Sequence, residues 1–123
     1  MRLQRTYSKV SIIIVNFNGG QEPIDCLKSV HRLFYPKNKL EIIVVDNGST
    51  DGSAQEIAKK FPEVKLIRLE KDIGYPASLN LGILNSKSNY IFLGNDDVTL
   101  EKNSISQMVD YLKSNKTTAV VGG

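Results

Sequence analysis

Short apolar runs that alternate with amphipathic stretches of helical length constrain this chain more than any other feature. Four runs are rich in β-branched or aromatic residues: Val10-Ser-Ile-Ile-Ile-Val15, Leu40-Glu-Ile-Ile-Val-Val45, Val64-Lys-Leu-Ile-Arg-Leu69 and Tyr90-Ile-Phe-Leu93. The first two are nearly continuous, as strands covered on both faces must be. The third sets Val64, Leu66 and Leu69 against Lys65 and Arg68, which predicts a place nearer the sheet edge. A fifth run, Thr117 to Val121, precedes Gly122 and Gly123. Between the first two runs, Ile24, Leu27, Val30 and Phe34 recur at spacings of three and four, the stripe of a helix packed on a sheet. A second helix is predicted from Ser53, where Ser53 and Glu56 have capping-box spacing, to Pro62. A third runs from about Pro76 to Leu84, and a fourth carries Ile105, Met108, Val109 and Leu112. Strand and helix alternating in this way predict an α/β fold: an open, mostly parallel sheet with helices on both faces.

The remaining bounds come from size and charge. With 123 residues, 41% of them hydrophobic, there is material for one domain and one core without disulfides or a structural metal. The single cysteine, Cys26, can form neither an internal bridge nor a cysteine-based zinc site, which fits a reducing compartment. A cytoplasmic location is expected, with peripheral association at the inner face of the membrane left open. A net charge of +3 suits anionic ligands such as nucleotide phosphates or a headgroup surface. The longest basic cluster, Lys37 to Lys39, is interrupted by Asn38, so nucleic acid is not expected as a partner. The apolar stretch after Arg2, Arg5 and Lys9 is too short for a signal peptide or a membrane span.

In open parallel sheets ligands bind beyond the carboxyl ends of the strands. The residues that follow the runs are Asn16 to Gly20, Asp46 to Asp51, Glu70 to Tyr75 and Gly94 to Asp97, so each of these strands delivers Asn, Asp or Gly to one rim. Those residues also end strands and cap helices, which gives each loop alone an ordinary explanation. Asn95-Asp96-Asp97 resists that explanation, because adjacent carboxylates repel unless a cation or solvent compensates them. Mg²⁺ or Mn²⁺ takes oxygen ligands, often one or two carboxylates plus substrate phosphates. Asp46 closes an otherwise apolar strand, so its carboxylate is expected at the rim beside the first loop. There it either accepts a hydrogen bond from a base or ribose, or organises the turn from Asn47 to Asp51. Phe17 either stacks a base or belongs to the core. His31 has no second histidine with which to share a metal and reads as structural, and Cys26 reads as a small core filler.

Ser11-Ile-Ile-Ile-Val-Asn-Phe-Asn-Gly19 and Ile43-Val-Val-Asp-Asn-Gly-Ser-Thr-Asp-Gly52 resemble the opening of family 2 glycosyltransferases with the GT-A fold. The resemblance continues through Cys26 to Ser29, through Gly74 with Asn80-Leu81-Gly82, and ends at Asn95-Asp96-Asp97-Val98 in the position of that family's Asp-x-Asp-like motif. It implies a Rossmann-like nucleotide-binding half in which the backbone around Val15 and Phe17 and the carboxylate of Asp46 hold the nucleobase. Asp72, Gly74 and Asn80 would complete the nucleotide-sugar site. Asp96 and Asp97 would face the ribose and the diphosphate with its divalent metal, Mn²⁺ or Mg²⁺, Asp97 being the better direct ligand. The implied reaction is transfer of a sugar, with inversion, from a nucleoside-diphosphate sugar, a UDP-sugar being favoured, to a hydroxyl of an acceptor glycan or lipid-linked glycan. Two departures stand out: Asp72 occupies a position where relatives commonly have Asn, and the acid motif begins with Asn95. The resemblance further implies that residues 1–123 are one donor-binding domain, with the acceptor-binding half and the general base beyond Gly123.

Two other classes fit less well. A nucleotidyltransferase would carry a glycine- and arginine-rich loop after the first strand, which Asn16 to Gly20 does not match. A non-catalytic phospho-receiver would need an acidic pair there, where Asn16 and Asn18 stand. Neither a GxxxxGK[ST] loop nor a GxGxxG fingerprint occurs.

Overall fold

The computed structural model describes residues 6–116 and 121. Strand β1 (Val10–Asn16) leads through helix α1 (Glu22–His31) to β2 (Leu40–Asp46), then through α2 (Ser53–Lys60) to β3 (Lys65–Arg68). Helix α3 (Tyr75–Leu84) connects to β4 (Tyr90–Asn95), which is followed by α4 (Ser104–Ser114). The strands form one parallel sheet in the order β3-β2-β1-β4. The α/β class and the edge position of the third strand are as the sequence predicts. Apart from Val121, the fifth apolar run lies outside the described residues.

β1 is the centre, hydrogen-bonded to β2 on one edge and β4 on the other, and each of its residues is buried. Side chains alternate across a strand, so β1 feeds two cores. Ile12 and Ile14 pack with Val44 against α1, α2 and α4 through Ile24, Leu27, Val30, Ile57, Ile105 and Val109. Ile13 and Val15 join Ile43 and Val45 on the other face, where Leu79 and Leu81 of α3 cover them. Burying each such aliphatic side chain contributes about 1.5–3 kcal/mol. At the amino ends of the strands, the buried hydroxyl of Ser11 donates to Glu41 Oε1 at 2.7 Å and accepts from Ser86 Oγ at 2.6 Å. This polar cluster anchors the α3–β4 connection to the sheet.

Two local expectations are corrected. Phe34 is 59% exposed and Leu33 takes the buried position instead, because α1 ends at His31 and the helical period stops with it. The capping box of Ser53 and Glu56 does not form: Ser53 is already helical, and Asp51 Oδ1 accepts its N–H at 2.9 Å and its hydroxyl at 2.5 Å. The cap acid thus stands two residues upstream of the expected residue.

Helix α3 approaches the sheet closely at Gly82. A Cβ there would lie 2.5 Å from Ile13 Cγ2 and 3.4 Å from Val45 Cγ2. Both are methyl carbons of fully buried, β-branched strand residues. Gly82→Ala is therefore expected to lower stability by roughly 1–2 kcal/mol in urea unfolding, overpacking outweighing the helix propensity that alanine adds.

Candidate functional site

The carboxyl ends of β1 and β2 are joined by side-chain hydrogen bonds. Asn16 and Asp46 are register partners on adjacent strands, and Asn16 Nδ2 donates to Asp46 Oδ1 at 2.8 Å. Asp46 also accepts the N–H of Ser49 at 3.1 Å and its hydroxyl at 2.7 Å. Above them the β1–α1 and β2–α2 loops are stitched together: Asn18 N–H donates to Ser49 Oγ, Thr50 N–H to Asn18 Oδ1, and Gly20 N–H to Asp51 Oδ2, each within 2.9 Å. Asp51 is held below the usual carboxylate range chiefly by the Ser53 hydroxyl and N–H. These polar loop residues therefore replace the backbone ladder that ends with the strands.

A cleft of about 330 Å³ opens at this rim on the α3 side. Val15 and Phe17 form one wall, Asn47, Asp72, Gly74 and Tyr75 the second, and Asn95, Asp96 and Asp97 the third. Phe17 is 50% exposed, so its ring belongs to the cleft and not to the core. Asp72 Oδ1 accepts Asn47 Nδ2 and Gly74 N–H, both at 2.7 Å, and Asn47 Oδ1 accepts Ile73 N–H at 2.9 Å. The Tyr75 hydroxyl crosses to Asn95 Oδ1 at 2.7 Å, tying the start of α3 to the end of β4. Behind that bond lies a wider groove of about 850 Å³, lined in part by Leu93, Val98, Met108 and Tyr111.

The acids of the third wall lie in unfavourable surroundings. Burial pushes the Asp96 carboxyl up, and the charges of Glu22 and Asp97 add to the effect. Among the described residues no lysine or arginine pairs with Asp96 or Asp97. Asp96 rests against Gly19, where a Cβ would sit 2.4 Å from its Oδ2, so only glycine allows this approach. Below, the Cys26 thiol points to Asn95 O at 3.8 Å, and its pKa is raised to about 11, by burial first and then by Asp96 and Asp97. Such a thiol stays protonated and inert near neutrality.

Six residues singled out in the sequence line the cleft: Val15, Phe17, Asp72, Gly74, Asp96 and Asp97. Asp46 stands beside the first loop, but at 1% exposure it lies on the opposite face of the sheet from Val15 and does not line the cleft. Asn80 is exposed on α3 and is not among the lining residues either. Asn47, Tyr75 and Asn95 were not singled out individually. Strand alternation points to Asn47, which sits one position past Asp46 and so shares the side of Val45. His31 is structural: its ring bonds Leu27 O at 2.8 Å and Glu63, and packs 5.1 Å from the Phe61 ring.

Residues 11–123 match the model of the family described as glycosyl transferase family 2. Glycosyltransferase GlyG of Streptococcus pneumoniae serotype 4 is 27% identical over 117 residues, which are 92% of this chain and 38% of that protein. The crystal structure of S. aureus TarS 1–349 in complex with UDP-GlcNAc superposes with a TM-score of 0.80 at 22% identity, covering 88% of this chain and 32% of that one. The mannosyltransferase PcManGT from Pyrobaculum calidifontis, in complex with GDP-Man and Mn²⁺, gives 0.76 at 24%, covering 87% and 33%. At such identities the two structures show a shared fold. This chain spans about a third of the length of each of these proteins.

The Asp96 environment has a measurable consequence. A carboxyl whose folded pKa is raised above its unfolded value costs stability once pH rises through that interval, because the unfolded state ionises first. In the ligand-free chain, Asp96→Asn is therefore expected to raise the thermal midpoint at pH 7 and to leave it unchanged below the ordinary carboxylate range. Equal midpoints for both chains at pH 7 would contradict this.

Proposed function

The chain belongs to glycosyl transferase family 2, and from that premise we propose that it binds a nucleoside-diphosphate sugar and serves transfer of the sugar to an acceptor hydroxyl. The observation that carries this reading is the single cleft that combines the exposed face of Phe17 with the carboxylates of Asp96 and Asp97. An aromatic wall suits a nucleobase, and paired acids suit a metal-bridged diphosphate. A UDP-sugar is favoured, by likeness to the structure that holds UDP-GlcNAc.

In this reading Val15 and Phe17 hold the base. Asp46, buried and outside the cleft lining, organises the turn that carries Asn47 and Ser49 and so acts on the site through that turn. Asp72 and Gly74 shape the second wall through their mutual hydrogen bond, and Asn80 is exposed further along α3, outside that lining. Asp96 faces the ribose, and Asp97, the more exposed of the two, is the direct metal ligand.

The donor set fits Mn²⁺ or Mg²⁺. Asp96 and Asp97 provide two carboxylates whose negative charge no described cation offsets, and Asp96 is partly desolvated. No cluster of three His, Cys, Asp or Glu side chains forms among the described residues, so phosphate and water oxygens would complete the shell. A bound divalent ion supplies positive charge for the departing nucleoside diphosphate.

Inversion follows from direct displacement at the anomeric carbon, with an Asp or Glu base within hydrogen-bond reach of the acceptor oxygen. We assign that base to no residue of this chain. The acceptor is read as a glycan or lipid-linked glycan hydroxyl, met in the cytoplasm or at the inner membrane face. Among the described residues no helix is long and apolar enough to cross a membrane.

Calorimetric titration with UDP, and GDP as comparator, with and without Mn²⁺, tests the reading. UDP is expected to bind more tightly than GDP, to bind more tightly with Mn²⁺, and to lose the Mn²⁺ effect in Asp97→Ala. Binding of neither nucleotide in the presence of Mn²⁺ would overturn it.

A further inference from the structure

Asn16 is wholly buried at the last position of the central strand, yet its side chain is the most heavily bonded polar group at the rim. Its Nδ2 donates to Asp46 Oδ1 and Ser53 Oγ, both at 2.8 Å, and lies 3.3 Å from Ser49 Oγ. Its Oδ1 accepts the N–H of Gly19 at 3.1 Å. Gly19 is the residue against which Asp96 rests, and a Cβ on it would meet Asp96 Oδ2 at 2.4 Å and Asn16 Oδ1 at 2.6 Å. One carboxamide thus touches the acid beneath the first loop with its donor end and fixes the turn beside the Asp96 carboxylate with its acceptor end.

We propose that Asn16 is a positioning residue of the donor site, one that sets the Asp46 carboxylate and the Asn18–Gly20 turn for nucleotide binding without touching the ligand. The proposal rests on the donor-binding reading above and adds to it a residue outside the cleft lining. The geometry requires a group that donates and accepts at once. Alanine offers neither end, and an aspartate at this position would face Asp46 with a like charge.

A structural effect is separable from a positioning effect within the same strand. Ser11 is equally buried on β1 and also hydrogen-bonded through its side chain, but at the amino end, far from the cleft. Ser11→Ala and Asn16→Ala are both expected to lower the thermal midpoint. Only Asn16→Ala is expected to weaken UDP binding in the presence of Mn²⁺, by roughly tenfold or more, the scale of a lost hydrogen bond to a charged group. Amide hydrogen exchange gives a readout independent of nucleotide: Asn16→Ala should speed exchange at Gly19 and Ser49, and Ser11→Ala should not. Should Asn16→Ala fail to fold, Asn16→Thr, which suits a strand and keeps one hydroxyl donor but no amide, is read in the same two assays with the same expected direction. Unchanged exchange at Gly19 and Ser49, or a loss of UDP affinity matched by Ser11→Ala, would overturn the proposal. Failure of the wild-type chain to bind UDP would instead count against the donor-binding reading, and the exchange comparison still decides the role of Asn16.

Discussion

Hydrogen bonding along both edges of β1, combined with burial of both its faces, is the constraint on which the rest of the structure depends. A strand in that position must be apolar in both side-chain rows, and each row must be covered by helices. The covering is unequal. Among the described residues three helices share one face and α3 alone serves the other, so α3 has to lie close, which Gly82 permits by presenting no side chain to Ile13. The cleft opens at the carboxyl end of that thinner face, where a single helix leaves room between Phe17 and Asn95.

At the end of the same strand the chemistry changes within one residue, from Val15 to Asn16. The acids gathered there live under different conditions. Asp46 is surrounded by donors from Asn16 and Ser49, so its burial is compensated by dipoles without any cation. Asp96 is less well placed: partly desolvated, near Glu22 and Asp97, and with no basic partner among the described residues. A carboxylate surrounded by hydrogen-bond donors belongs to the scaffold, whereas one left with like charges invites a ligand that brings positive charge. The rim therefore separates into a satisfied layer under the loops and an unsatisfied one facing the cleft.

Much of this was legible in the sequence because it is periodic. The continuous runs at Val10 and Leu40 and the alternation at Val64 specify a doubly covered pair of strands and an edge strand. The rule that ligands meet the strand ends then points to Phe17, Asp96 and Asp97, and the family resemblance adds Asp72 and Gly74. What escaped was geometry that depends on parity or on the exact end of a helix. Asp46 and Asn47 are neighbours in sequence but lie on opposite sides of the sheet, and a loop composition does not say which of them faces the cleft. Tyr75 lines the cleft because Gly74 turns the chain into α3 there, and Phe34 is exposed because α1 stops three residues before it. The family resemblance added the roles of residues but could not supply the bonds of Asn16, which depend on a register seen only in the folded sheet.

The strand order β3-β2-β1-β4 also governs how the chain comes into being. Of the four described strands β1 is synthesised first, and β2 follows soon enough to pair on one side of it, with β3 beyond β2, but the partner for its other edge, Tyr90–Asn95, emerges last. Until then the nascent chain presents an open strand edge, with the backbone groups of Ser11, Ile13 and Val15, which face β4, left unpaired. Edges of this kind are templates for pairing with other chains, and connections that close late in the sequence fold slowly. The interval between ribosomal emergence of β3 and that of β4 is thus the stage at which this architecture is most exposed to chaperones and to its own misassembly.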